Sequence, residues 1–474
     1  MDEKRLQEYL ELIEKLINSS SDEELKKILT DNLELLDASF LQTLEAAVQM
    51  KSDDGDEDTA NFLRAVANVL TEALGLSPTV DIKQSLESLK QPEFQPYGQF
   101  LAEVLQAIDE SENREQRIQV VYPLLKANID KLDANLADVL RRWATSFFKA
   151  AEAEEAESIG FAIGSFSILI KNFPLGNKAN NMEIAITGYE VILTIFTKDT
   201  SPGIWATIQN NLGIAYSDRI KGDKADNIEK AIAAYNAALE IRTRNDFPAY
   251  WADTQNNLGA AYSDRIKGDK AENIEKAIAA YNAALEIRTR KDFPQYWAMT
   301  QNNLGIAYSD RIKGDKAENI EKVIAAYNAA LEIYTRNDFP QYWAMTQNNL
   351  GIAYRNRIKG DKAENIENAI AAYNATLEIR TRNDFPQSWA MTQNNLGIAY
   401  RNRIKADKED NIEKAIAAYN AALELYTRKD FPQYWAMTQN NLGNAYSDRI
   451  KGDKAENIEK AIAAYNAALE IRTR

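Results

Sequence analysis

The chain has 474 residues, 27% of them charged, a formal net charge of −15, and neither cysteine nor histidine. Those two absences exclude thiol nucleophiles, Ser-His and Cys-His dyads, Cys/His zinc sites, histidine-ligated haem and disulfides. Only carboxylate, lysine, tyrosine and serine chemistry remains. No apolar run long enough to span a membrane occurs, and Met1 to Ile17 is charged and amphipathic, without the basic start and apolar core of a secretory signal. Cytoplasmic residence is the expectation.

Charge is unevenly spread. Residues 1–158 carry 33 acidic and 16 basic side chains, whereas residues 159–474 carry 38 and 40. An acidic head thus precedes a nearly neutral remainder. Nowhere is there the clustered basic excess that a nucleic-acid backbone needs, so no nucleic acid and no membrane is expected as partner.

Residues 1–75 read as an acidic N-terminal helical domain. Leu6, Leu10, Ile13 and Ile17 lie at helical spacing and predict one buried stripe. Ser21-Asp22-Glu23-Glu24 has the pattern of a capping box, and Gly75 that of a C-terminal stop. The acidic run Asp53 to Asp58 lacks calcium-loop spacing, because Gly55 is misplaced and no Glu closes it. No metal site and no cofactor is expected. Residues 76–97, with Pro78, Pro92 and Pro96, read as a linker. Residues 98–158 form a helical pre-repeat region, including Ile118–Ile129, which Pro123 should kink or restart, and Leu136–Ala150.

From Trp205 to Arg474 a block of 46 residues recurs six times. Trp stands at 205, 251, 297, 343, 389 and 435, opening copies one to six, and Gly at 213, 259, 305, 351, 397 and 443. A fixed period of this length signals a solenoid whose units bury their apolar faces against neighbours. Each copy reads as two helices, A and B. In copy two, A runs from Ala252 to about Lys267 and B from about Ile274 to Arg288. Gly268 and Asp269 break the chain between them, and Asn273 is the expected N-cap. Leu258, Ala261 and Tyr262 form the buried stripe of A; Ala277, Ile278, Tyr281, Ala284 and Leu285 form that of B. Residues 159–204 read as a degenerate capping copy, with Phe166 and Ser167 where Leu and Gly stand elsewhere. The Lys267–Lys270 turn has no Gly-Lys-Ser/Thr and is no phosphate loop. Phe293, Tyr296 and Trp297 are expected to pack between copies.

The order Leu258-Gly259-x-Ala261-Tyr262, then Ala277, Tyr281, Ala284 and Pro294, resembles the tetratricopeptide repeat, with 12 residues beyond its usual 34. Gln255 to Gly259 and Ala284 to Ile287 resemble its kinesin-light-chain type. The layout as a whole is similar to a cyanobacterial group of tetratricopeptide proteins often fused to a caspase-like CHAT peptidase domain. That domain needs His and Cys, so its catalysis cannot be carried over, and no enzyme is expected. The resemblance implies an all-α fold: a right-handed superhelical solenoid of antiparallel helix pairs behind the N-terminal helical domain.

It also implies a protein-binding scaffold whose A helices line a concave groove. Opposite Leu304 and Tyr308 lie Asn302, Ile306, Ser309 and Asp310. The asparagines Asn210, Asn256, Asn302, Asn348, Asn394 and Asn440 would form a ladder able to pair with an extended peptide backbone, or would instead tie neighbouring helices together. Copies four and five replace Ser-Asp by Arg355-Asn356 and Arg401-Asn402, so an acidic segment is the expected partner there. Ile306 and its equivalents fill a position of the chaperone-type carboxylate clamp, which argues against chaperone tails. The sequence stops at Arg474, directly after helix B of copy six, where Ile462, Tyr465, Ala468 and Leu469 still carry an inter-copy pattern. A missing further domain, or end-to-end homo-oligomer formation by stacking, are the two expectations for that face.

Overall fold

The computed structural model describes residues 3–19, 22–32, 35–36, 38–53, 56, 59–60, 62–64, 66–67, 70, 82–111 and 113–472. Ser21 of the expected capping box, most of the acidic run, Gly75, residues 76–81 of the expected linker, and Arg474 lie outside the described residues. Among those described, every regular element is a helix. None is long and apolar enough to cross a membrane. The chain divides into two compact units, Met1–Asn257 and Leu258–Arg474.

The first unit begins with helices Glu3–Ile17, Asp22–Asp31 and Ala38–Asp53. The stripe that the first helix buries matches the expected one only in its second half, at Ile13 and Ile17. Tyr9, Leu12, Ile13 and Leu16 are buried, while Leu6 and Leu10 are exposed. The face is turned because Tyr9 meets Phe40 edge-on, with ring centroids 5.6 Å apart, and anchors a core with Leu44 and Leu63.

The expected linker is also corrected over its described part. Residues 83–94 form a short helix (Lys83–Leu86) and two 3-10 turns (Glu87–Lys90 and Pro92–Phe94). Ile82, Leu86, Leu89 and Phe94 are buried. Trp143 Nε1 donates to Ser88 Oγ at 2.9 Å, and Tyr97 Oη donates to Asp133 Oδ2 at 3.0 Å. Prolines here shape a packed turn, which a composition count mistakes for a spacer. Pro123 lies inside helix Arg114–Ala127 and does not restart it. The degenerate copy uses helices Ala153–Asn172 and Lys178–Ile192, so its first helix starts before residue 159. There Ser167 replaces the usual glycine, and Gly188 on the facing helix makes room: a Cβ on it would come within 2.0 Å of Ser167 Oγ.

The second unit is a series of helix pairs. The A helix of copy three is Pro294–Ser309 and its B helix Lys316–Leu331; copies four, five and six repeat the pair with A helices Pro340–Asn356, Pro386–Arg401 and Pro432–Ser447. The proline is the first residue of each A helix, where its missing N–H costs nothing, so A helices start earlier than expected from Ala252 and its equivalents. The N-cap of the B helix is Asp269, not Asn273. Asp269 Oδ1 accepts from Glu272 N at 2.8 Å, an Asp three residues before Glu satisfying an orphan helix donor. Asn273 is buried, and its Nδ2 donates to Lys267 O at 2.9 Å. It closes the turn that Gly268 permits with φ +80°.

Apolar packing runs between copies. Ile274, Ala277, Ile278 and Tyr281 of the B helix in copy two share one cluster with Leu304 and Ala307 of the A helix in copy three. Copies three to six repeat it as Ile320–Ala353, Ile366–Ala399 and Ile412–Ala445. Trp297, Phe339 and Trp343 pack against a smaller cluster of Ala298, Ala330 and Tyr334, so these aromatics belong to the seam.

Candidate functional site: the face of the A helices

Helical periodicity sends alternate turns of each A helix to two fates. In copy three Leu304, Gly305 and Ala307 are buried, whereas Ile306, Ser309 and Asp310 are exposed. An open groove of about 830 Å³ lies among the A and B helices of copy three and the A helix of copy four; Ile306, Ser309, Asp310, Asn349, Ile352 and Asn356 line its A-helix walls, and Ile320 and Val323 its B-helix wall.

The asparagine ladder does not line that groove. Asn210, Asn256, Asn302, Asn348 and Asn394 are 2–8% exposed, and Asn440 is half-buried. The carbonyls of Asn210, Asn302, Asn348 and Asn394 serve the next copy. Asn257 Nδ2 donates to Asn210 Oδ1 at 3.3 Å, Asn395 Nδ2 to Asn348 Oδ1 at 3.4 Å, and Asn441 Nδ2 to Asn394 Oδ1 at 3.0 Å. Thr346 Oγ1 lies 3.3 Å from Asn302 Oδ1. Side chains this deep, paired across the seam, tie one copy to the next. Expecting them to reach a peptide overlooked that an adjacent helix competes for the same amide.

The four residues of the basic rungs are placed differently. Asn356 and Asn402 are exposed, and Arg355 and Arg401 half-buried. Arg401 Nε donates to Asp448 Oδ2 of copy six at 2.7 Å. Arg355 Nη1 is buried and makes no hydrogen bond; on the B helix of the same copy the Tyr373 hydroxyl is equally unpaired.

Sequence reasoning missed a second ladder. In copies three to six the Arg that follows the A helix forms a two-pronged bond with a Glu 36 residues earlier, on the B helix of the preceding copy. Arg311 Nε and Nη2 donate to Glu275 Oε1 and Oε2 at 2.7 and 2.9 Å. Arg357 pairs in this way with Glu321, Arg403 with Glu367 and Arg449 with Glu413; in the first unit Arg219 does so with Glu183. The hydrogen bonds from Arg hold Glu275, Glu321, Glu367 and Glu413 below the usual carboxylate range. The signal was available: an Arg and a Glu kept at fixed places in successive copies. Burial, meanwhile, pushes the Tyr281 and Tyr373 phenols up to about 12.

Such a molecule is an array of repeated α-helical pairs whose copies are joined by apolar clusters and polar staples. Residues 251–294, 297–340, 343–386 and 435–472 match the family model described as tetratricopeptide repeat, and over these segments the chain consists of tetratricopeptide repeats. No curated protein matches the chain. Several solved structures are similar. BtubC (BKLC) from P. vanneervenii is 22% identical over 52% of this chain and 91% of its own, with a TM-score of 0.39. The apo form of RapI is 13% identical, covering 91% of this chain and 97% of its own, with a TM-score of 0.46. The Cut9–Hcn1 hetero-tetramer of the APC/C is 16% identical, covering 99% and 84%, with a TM-score of 0.41.

Proposed function

We propose that the chain is a protein–protein interaction scaffold that holds a segment of a partner along the exposed face of its A helices and catalyses nothing. The observation that carries this reading is the groove between copies three and four. Apolar Ile306 and Ile352 stand there beside polar Ser309, Asp310, Asn349 and Asn356, a mixture suited to a peptide and repeated with variation along the array. Arg355-Asn356 biases the face toward an acidic segment, whereas Arg401 is already met by Asp448. The buried asparagines contribute by keeping the A helices in register. In the group whose layout the sequence resembles, such arrays accompany a peptidase, and a regulatory arm is part of the same proposal.

A test compares the intact chain with an Ile306→Asp, Ile352→Asp variant in affinity capture from a lysate of the source organism. A protein held by the intact chain and released by the variant supports the face as the binding site. Equal retention by both sinks it.

A second reading, self-assembly, has its own observation. In helix Lys454–Arg472, Ile458, Ile462 and Leu469 are 46%, 53% and 53% exposed, whereas Ile274 and Ile278, their equivalents in copy two, are 0% and 7%. Stacking of a second copy on this face predicts a molecular mass that rises with concentration and an Ile462→Asp variant that stays monomeric.

A further inference from the structure

We propose that Arg355 is a vacant seat for one carboxylate side chain of the bound segment, and that Arg401 is not. The inference rests on the reading that the A-helix face holds a segment, and it narrows the acidic preference to a single place.

The two arginines occupy the same position in consecutive copies, yet they face different neighbours. Arg401 reaches 47 residues forward and finds Asp448, with Nε to Oδ2 at 2.7 Å. The same step from Arg355 ends on Asn402, which carries no charge. Among the described residues no carboxylate pairs with Arg355, and its buried Nη1 has no acceptor. The Tyr373 hydroxyl, which feels the Arg355 charge, is also buried without a partner. Among the described residues the charge of Arg355 is therefore not matched by a carboxylate, whereas that of Arg401 is met by Asp448.

Copy six displays which acceptor fits. Asp448 is a carboxylate delivered from the adjoining copy onto an arginine in this very position. A partner's Asp or Glu would do for Arg355 what Asp448 does for Arg401, through a charge-assisted bond with the guanidinium. The surroundings define its neighbour in the segment as well. Ile352 stands one turn before Arg355 and lines the groove together with Asn356, the residue that follows Arg355. The ligand class is therefore a protein segment with an acidic side chain beside an apolar one.

The experiment uses the full chain and an immobilised array of ten-residue peptides in matched pairs, each pair differing only by Glu or Gln at one position beside a Leu. The intact chain should retain Glu members about tenfold better than their Gln twins, the discrimination expected of one charge-assisted bond. Arg355→Ala should bring that ratio to near one. Asn402→Asp should do the same by filling the seat from within, and it leaves Arg355 in place, so misfolding cannot explain it. Arg401→Ala should leave the ratio unchanged. A ratio unaffected by Arg355→Ala or Asn402→Asp overturns the seat, as does an equal loss in Arg401→Ala. If Glu and Gln peptides are retained equally, the seat falls while segment binding stands; if no peptide of any kind is retained, both fall.

Discussion

Gly305 lies directly under the ring of Tyr327: a Cβ built on it would stand 2.6 Å from Cε1 and 3.0 Å from Cζ. Gly351 and Tyr373, Gly397 and Tyr419, and Gly443 and Tyr465 repeat the arrangement within their own copies. The missing side chain lets the A and B helices of a pair approach until the tyrosine fills the space. Because Tyr327 is buried, it has little room to yield. Gly305→Ala should therefore destabilise the array by about 1–3 kcal/mol, the cost of overpacking a close-packed seam. Urea denaturation followed by circular dichroism reads it; a midpoint equal to the parent's would mean that the ring moves freely.

Copy five departs from its siblings at one turn. Gly268, Gly314, Gly360 and Gly452 have φ near +80°, and Ala406 occupies the same bend with φ +66°. An L-residue with a Cβ is strained there by roughly 1 kcal/mol, whereas glycine is not. Ala406→Gly is expected to raise stability by about that amount, against the usual entropic cost of adding glycine. A lowered melting temperature would refute the account.

The arginine–glutamate staples set an acid limit. The arginines depress the pKa of Glu275, Glu321, Glu367 and Glu413, so folding favours their ionised forms. Their stabilisation is complete above the unfolded value of about 4.3 and is lost as pH falls through the lower folded values. Glu321→Gln together with Glu367→Gln should flatten the fall in thermal midpoint between neutral and acid pH. The same slope in parent and variant would show the staples to be idle.

At the alkaline end the sign reverses. Tyr281 and Tyr373 are pushed up to about 12 by burial, so the folded state favours the neutral phenol. That contribution is full below the unfolded value of about 10 and disappears as pH rises from there toward 12. An ultraviolet absorbance titration should show Tyr281 and Tyr373 ionising only in the higher range or on unfolding. Simultaneous ionisation of all phenols at the lower value would contradict the burial.

Because each copy shares its core with the next one only, as in the cluster of Ile274, Tyr281 and Leu304, unfolding should be sequential and not all-or-none. Tryptophan fluorescence and far-ultraviolet circular dichroism should give non-coincident urea transitions. Coincident curves would indicate that the copies are coupled more tightly than neighbour contacts provide.

The helix pairs, the repeat period and the buried stripes of Leu258, Ala261, Ala277 and Tyr281 were legible because apolar spacing within a copy is a local signal. What escaped depends on contacts between elements far apart in the chain. The face buried by the first helix turns on the Tyr9–Phe40 contact, and the packed role of residues 82–97 on Trp143 bonding Ser88. For the site, spacing alone located the A-helix face. It could not tell that the amides of Asn302 and Asn348 are taken by the following helix, nor that Arg401 meets an aspartate while Arg355 meets an amide. Both facts depend on which residue stands 44 to 47 places onward in three dimensions.

Every staple between copies spans a constant interval: 36 residues for arginine to glutamate, 47 for asparagine to asparagine. Removing or duplicating one whole period returns each donor to an equivalent acceptor, whereas an insertion of any other length within the array breaks every interval that crosses it. Unequal recombination between near-identical stretches of the gene makes changes of the permitted size. The fold thus tolerates the errors its own coding sequence is prone to, and the reach of the array is open to adjustment in steps of one copy without redesign of any contact.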